Sequence, residues 1–203
     1  ALERPVSWEE IVEMDARPEY LLRCVDPEVE QQMKAVVDDI YRTKDTVGGI
    51  LEVRVHNLPV GLGSHITWDT RLDGRLAQAI VSMQAVKGVE IGDAELGSIE
   101  YGSKVQDSIH YDKQEGRFYR GANRAGGLAG GITNGQDLVV RGFLKPISTL
   151  RRPLESVDMV TKESTAAAYE RSDVCVVPAA GVIGEAMVAI VLAQAFLEKF
   201  GGD

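Results

Sequence analysis

Three short stretches of this chain carry residue types and spacings that could do chemistry. The first, "RAGGLAGGITNG" at residues 124–135, holds five glycines. Glycine loses more conformational freedom on folding than any other residue, so such density needs a reason: tight turns, or a backbone that must come close to something. Glycines 126, 127, 130 and 131 permit positive φ and let backbone N–H groups face outward, a way to hold an anion or the polar edge of a flat group. The competing reading is a set of bends where strands approach closely, and the segment alone favours that one. It matches no nucleotide fingerprint: "GGLAGG" lacks GxGxxG spacing, and GxxxxGK[ST] is absent.

The second stretch is "KPIST", residues 145–149. Lys145 is a point charge suited to phosphate. Pro146 breaks a strand ladder and turns the chain, and Ser148 and Thr149 offer hydroxyls beside backbone N–H groups. The third is "RSD", where Arg171 and Asp173 stand two apart and so on one side of an extended segment. That spacing suits a bidentate grip on an anion by Arg171 and a hydrogen-bond or proton-transfer role for Asp173; a local salt bridge is the commoner fate of such a pair. His56, His65 and His110 are scattered, and with no HExxH or paired-cysteine pattern no metal is expected.

The elements around these stretches are read from periodicity. Residues 1–25 look irregular. Asp26 and Pro27 then start a helix whose Val29, Met33, Val36/Val37 and Ile40 recur on one face. "ILEVRVHNL" alternates as a half-buried strand. A second helix carries Leu72, Leu76, Ile80 and Met83 and is predicted to end at Lys87-Gly88, before the short strand "VEIGD". Residues 94–116 read as a long loop. "GRFYR" and "DLVVRGFLK" are strands, the latter placing Val139, Arg141, Phe143 and Lys145 on one face, and "VDMVTKES" is a further candidate. The apolar run 174–196 reaches membrane-spanning length, but Pro178, Gly181, Glu185 and Gln194 interrupt it, so a buried soluble helix over 182–200 is expected. The elements give an α+β fold in one domain, with antiparallel hairpins as evident as βαβ spacing.

A net charge of −9 over 203 residues argues against nucleic acid or an anionic membrane as partner. Within that acidic chain, Arg117 to Arg152 gathers seven cations against one acid, Asp137, which is either a local anion site or a solvated basic face. Cys24 and Cys175 form no close pair, so a reduced, cytoplasmic protein is the simplest reading, with one long-range disulfide as the alternative. There is no pattern of a basic stretch followed by an apolar run at the start, and no initial Met; the span is read as a piece of a longer protein.

Three motifs, "SMQAVKGVEIGD" (82–93), "RAGGLAGGITNGQDLVVRGFLKPIST" (124–149) and "RSDVCVVPAAGVIGEAMVAIVLA" (171–193), resemble the chorismate synthase family in order and spacing, and its actinobacterial branch in particular. The resemblance extends over most of the chain after residue 49. It implies a layered β-α-β sandwich with helices between antiparallel sheets, here incomplete, and a homotetramer. It also implies a lyase of the shikimate pathway that eliminates phosphate from 5-enolpyruvylshikimate 3-phosphate, using reduced FMN without net redox change. NADPH enters only as a reductant of the flavin. By motif matching, Gln84, Ala85, Gly130, Lys145, Pro146, Ile147, Ser148, Thr149 and Arg171 fall where the family contacts flavin. Asp173 falls where the family has an aspartate assisting proton movement at flavin N5. The segments carrying the family's two catalytic histidines and several substrate-binding arginines have no counterpart here, so the span alone is expected to be inactive. A non-catalytic flavin- or phosphate-binding module of the same fold is the alternative. Residues 94–116 and 145–170 are expected to be the most mobile.

Overall fold

The computed structural model describes residues 6–171 and 173–201. In chain order its elements are α1 (Trp8–Asp15), α2 (Pro27–Thr43), β1 (Gly49–Val55), α3 (Leu72–Val81), β2 (Val86–Ile91), α4 (Ala94–Ile99), α5 (Gly102–Val105), β3 (Ile109–Asp112), β4 (Arg117–Arg120), β5 (Leu128–Ala129), β6 (Ile132–Thr133), β7 (Leu138–Leu144), β8 (Glu155–Val157), β9 (Ser164–Ala166) and α6 (Val177–Phe200). The mixture of helix and strand agrees with an α+β fold. The sheets are small and open: one has three strands in the order β1-β7-β2, and three are antiparallel hairpins. The chain divides into two compact units, Ala1–Ile50 with Leu144–Ala180, and Leu51–Phe143 with Gly181–Asp203.

In the first unit the segment read as irregular contains α1. Its start is a capping box written in "SWEE": the Ser7 hydroxyl accepts from Glu10 N, and the Glu10 carboxylate accepts from Ser7 N at 2.8 Å. Asp26 caps α2 as expected, accepting from Glu28 N and Val29 N. Glu30 is 3% exposed because its carboxylate has work to do: it accepts from Leu22 N at 2.9 Å and Cys24 N at 3.1 Å, and pairs with Lys34 at 3.1 Å. "VDMVTKES", a strand candidate by composition, is mostly the turn joining β8 to β9, with the Asp158 carboxylate accepting from Val160 N and Thr161 N. Cys24 and Cys175 are free thiols.

The second unit is built on the three-stranded sheet. Leu51 and Val53 of β1 are buried, and β7 buries Leu138, Val140, Gly142 and Leu144 on one face as its alternation requires. Leu72, Leu76 and Ile80 of α3 are fully buried. That helix ends before the predicted Lys87-Gly88 cap, which lies inside β2. Ala85 makes the left-handed turn instead, at φ +68, while Gly88 gives room to Phe143, 3.5 Å from where a Cβ would stand. The supposed loop 94–116 holds α4, α5 and β3. α4 is hard to see in sequence because Glu90, in β2, supplies a bond at its start: the buried carboxylate accepts from Glu95 N at 2.8 Å.

The last helix departs from expectation in two ways. It starts at Val177, with Pro178 in the first turn where the missing N–H costs nothing. It is also not buried all round. Gly184, Val188, Leu192 and Ala195 form the packed stripe, yet Val182, Ile190 and Leu197 remain 51%, 55% and 59% exposed.

Candidate functional site

The glycine-rich segment in the second unit resolves its two readings position by position. Gly130 and Gly131, at φ +63 and +90, are the two central residues of the β5–β6 hairpin, whose register pairs Ala129 with Ile132. A turn with both central residues at positive φ matches the twist of the flanking strands, and only glycine enters it without strain. A Cβ on Gly126, by contrast, would stand 2.3 Å from Gly92 N. That is backbone against backbone, the structural reason for glycine. At Gly130 an added Cβ would meet nothing within 4 Å, so this glycine alone among 126, 127, 130 and 131 faces open space.

Side-chain clamps fix the segment. The Asp107 carboxylate accepts from Arg124 N at 2.9 Å and from Ala125 N at 3.1 Å. Asn123 donates to Asp137 O and accepts from Gly127 N, at 2.8 and 2.9 Å. Thr133, 1% exposed, donates to Pro59 O at 2.6 Å and accepts from Leu62 N at 2.8 Å. One polar atom has no such partner: Asn134 Nδ2 is buried and unbonded among the described residues. Sequence reasoning missed both Asp107 and Asn123: Asn123 is signalled only by an Asn just before a glycine run, and Asp107, 17 residues before Arg124, has no local signal.

The local cations are not all available to an anion. Arg141 donates to Glu52 at 2.6 Å, to Glu90 at 3.1 Å and to Gly92 O at 2.9 Å. Burial opposes the Arg141 charge, but Glu52 and Glu90 outweigh it and raise its pKa. Burial would likewise raise Glu52, yet Arg54 and Arg141 together hold its carboxyl below the usual glutamate range. The expected strand face shared by Arg141 and Lys145 is not formed, since β7 ends at Leu144, and Arg141 is not an anion ligand. A half-buried guanidinium is committed to the carboxylates beside it.

In the first unit, "KPIST" leaves the end of β7 with Lys145, Pro146 and Ser148 exposed and Ile147 and Thr149 half-buried. Arg171 and Asp173 are exposed, and Ser172 between them lies outside the described residues. One short stretch ties these two segments down. Thr46 Oγ1 donates to Ile147 O at 2.7 Å, and Val47 N donates to Val174 O at 3.0 Å in a parallel bridge of Val47 with Cys175. Next along, a Cβ on Gly48 would be 2.1 Å from Leu144 O. Thr46–Gly48 is thus the seam that holds both predicted segments, and its signal, the Gly48-Gly49 pair, reads in sequence only as the end of a helix. Gln84 (exposed), Ala85 and Gly130 belong to the second unit, and the other predicted site residues to the first.

Other features do not join the site. His56 meets Asp137 Oδ1 at 2.8 Å, and His110 meets Ser108 Oγ at 2.8 Å. No cluster that could hold a metal occurs among the described residues. An apolar cavity of about 290 Å³ in the first unit, walled by Val29, Met33, Val37, Cys175 and Val177, carries no charged side chain and does not suit a phosphate.

Taken unit by unit, the residue types suit a flat, phosphate-bearing cofactor: in the second, the open glycine turn at Gly130 and the orphaned amide donor of Asn134 suit the polar edge of a flat molecule, and in the first, exposed Lys145 and Arg171 suit a phosphate. A family model for chorismate synthase matches residues 6–197. This chain belongs to the chorismate synthase family. It is 72% identical to the chorismate synthase of Solibacter usitatus over 202 residues, covering 100% of this chain and 52% of that protein. To that of Koribacter versatilis it is 59% identical, over 98% of this chain and 51% of the relative. A crystal structure of a chorismate synthase superposes with a TM-score of 0.77 at 42% identity, covering 97% of this chain and 51% of that one. The chain therefore spans about half the length of the family members it matches.

Proposed function

We propose that this chain is the part of a chorismate synthase that supplies flavin contacts, in a cytoplasmic, homotetrameric lyase of aromatic amino acid biosynthesis. The observation that carries the reading is the family match across residues 6–197, within which Lys145, Arg171 and Asp173 are all present. The proposed reaction takes 5-enolpyruvylshikimate 3-phosphate to chorismate: one C–O bond to phosphate and one C–H bond break, and a new double bond forms. Reduced FMN, when bound, supplies transient electron density and returns it; NADPH serves only to reduce it.

Each residue has a proposed role within its own unit. In the second unit, Gln84, Ala85 and Gly130 present polar and backbone groups to flavin, with glycine at 130 because the open side must remain free of a Cβ. In the first, Lys145 and Arg171 are fixed cations that favour a phosphate group and stabilise negative charge as phosphate departs. Pro146 and Ile147 direct the chain so that Ser148 and Thr149 offer hydroxyl and N–H donors. Asp173 accepts or returns a proton at flavin N5. We treat the 203 residues as one domain of the family core that binds flavin without turning over substrate.

Anaerobic titration of the purified chain with reduced FMN, with and without 5-enolpyruvylshikimate 3-phosphate, tests this. Flavin binding without chorismate absorbance is expected. Lys145→Ala and Arg171→Ala should each weaken it about 10- to 100-fold, the worth of a charge-assisted hydrogen bond. No flavin binding, or equal binding by both variants, would sink the proposal. Half-length coverage also permits the non-catalytic module, which predicts flavin binding but no turnover even when the rest of a family member is supplied.

A further inference from the structure

Thr46 is a buried polar side chain with no part in the proposed flavin contacts. It is 9% exposed and directly precedes Val47, Gly48 and Gly49, which help to wall the apolar cavity of the first unit. Valine would give nearly the same shape without a hydroxyl, so a hydroxyl here needs a partner. That partner lies 101 positions away: Thr46 Oγ1 donates to Ile147 O at 2.7 Å. Residues 145–149 need such an outside hold. β7 ends at Leu144, and Pro146 has no N–H with which to extend a ladder. A Cβ on Gly48 would stand 2.1 Å from Leu144 O, 2.9 Å from Lys145 C and 3.0 Å from Pro146 N, so this backbone lies against the start of the segment. Past its end, Arg152 N donates to Lys44 O at 3.1 Å. The Thr46 hydroxyl holds the middle, and Val47 N→Val174 O at 3.0 Å fixes the backbone from which it reaches.

We propose that Thr46 is a positioning residue for the phosphate end of the flavin cofactor, acting through the carbonyl of Ile147. The C=O of Ile147 and the N–H of Ser148 belong to one peptide unit, which is planar and trans, so they point in opposite directions. Holding Ile147 O against the seam therefore turns the Ser148 N–H away from it, on the side where Ser148 itself is exposed. The same bond sets how Lys145, at the exposed start of the segment, and the Ser148 hydroxyl are presented to an anion. Thr46 touches no cofactor in this scheme; it fixes the donors that do. The inference rests on the proposed flavin role of residues 145–149.

Anaerobic equilibrium dialysis of the purified chain against reduced FMN and, separately, reduced riboflavin tests this. The two ligands differ only in the phosphate, so the ratio of their affinities reports how phosphate is held, whereas a general loss of folded protein moves both alike. Thr46→Val keeps the shape and removes the hydroxyl; it should lower the FMN-to-riboflavin ratio about 10-fold, the worth of one charge-assisted hydrogen bond. Thr46→Ser keeps the hydroxyl and should retain the ratio. Thr46→Ala removes the hydroxyl with less bulk and should lower the ratio as Thr46→Val does, so the result does not hang on one variant folding. Urea midpoints read stability separately. A ratio unchanged by Thr46→Val and Thr46→Ala, an equal weakening of both ligands, or a serine variant as deficient as valine overturns the positioning role and leaves the flavin reading standing. A wild-type chain that binds FMN no more tightly than riboflavin also overturns it, because no phosphate is then held. A wild-type chain that binds neither ligand overturns both.

Discussion

Replacing Gly92 by alanine separates the two reasons for glycine around residues 124–135. Gly92 has φ +62, and a Cβ there would stand 2.1 Å from Arg124 O, 2.5 Å from Gly126 N and 2.7 Å from Ala125 C. All three are backbone atoms, so no side chain can rotate away, and the strand must move by roughly 1 Å to regain ordinary contact. That displacement breaks the geometry of Gly92 N→Val139 O at 3.0 Å and Asp93 N→Arg124 O at 2.8 Å. The left-handed backbone costs alanine about 1–2 kcal/mol, and each lost hydrogen bond about 0.5–1.5 kcal/mol. The expected loss is therefore about 3–4 kcal/mol, which at a denaturant slope of about 2 kcal/mol/M lowers the urea midpoint by roughly 2 M. Gly130→Ala is the comparison: φ +63 but nothing within 4 Å, so only the backbone penalty of about 1–2 kcal/mol applies. Urea unfolding followed by tryptophan fluorescence and circular dichroism reads both variants. Equal losses, or a smaller loss at Gly92, would refute the idea that close backbone approach is what requires glycine there.

Two further outcomes follow from the second unit. Glu52 has a folded pKa below the ordinary glutamate value of about 4.3. Its ionised form therefore adds stability above that value, and the contribution disappears as pH falls through the lowered one. The gap in urea midpoint between the wild type and Glu52→Gln should be constant above about pH 5 and close below about pH 4, and a gap unchanged down to about pH 3 would contradict the assignment. Thr133→Val strands a buried N–H at Leu62 and the carbonyl of Pro59, which costs about 2–4 kcal/mol. Thr133→Ser should restore most of it in the same unfolding assay; a silent Val variant would show that water replaces the hydroxyl.

Local signals were legible wherever a residue's partner lies a few positions away. Asp26 capping α2, the alternation of β1 and β7, and the spacing of Leu72, Leu76 and Ile80 all came from the chain read in order. The motifs that place the chain in its family are equally a property of order and spacing. α1 was legible in principle, since its capping box stands in "SWEE", but the Glu-, Pro- and Arg-rich composition around it masked the signal.

Partners distant in sequence decided the rest. The amino-acid order offers the glycines of 124–135 as turns, as close approaches and as ligand contacts alike. Only the packing of Gly92 onto Gly126 and the open side of Gly130 tell these apart. Alternation predicts Arg141 and Lys145 on one strand face, but β7 ends at Leu144, and the commitment of Arg141 depends on Glu52, 89 residues away in sequence, and Glu90, 51 residues away. The start of α4 needs a carboxylate from β2, and the ties on "KPIST" and Val174 come from Thr46 and Val47. Apolar content alone made α6 a fully buried helix, whereas packing on one side left a second stripe exposed. Periodicity reports that a face is apolar; what covers that face is set by neighbours that only the folded chain brings together.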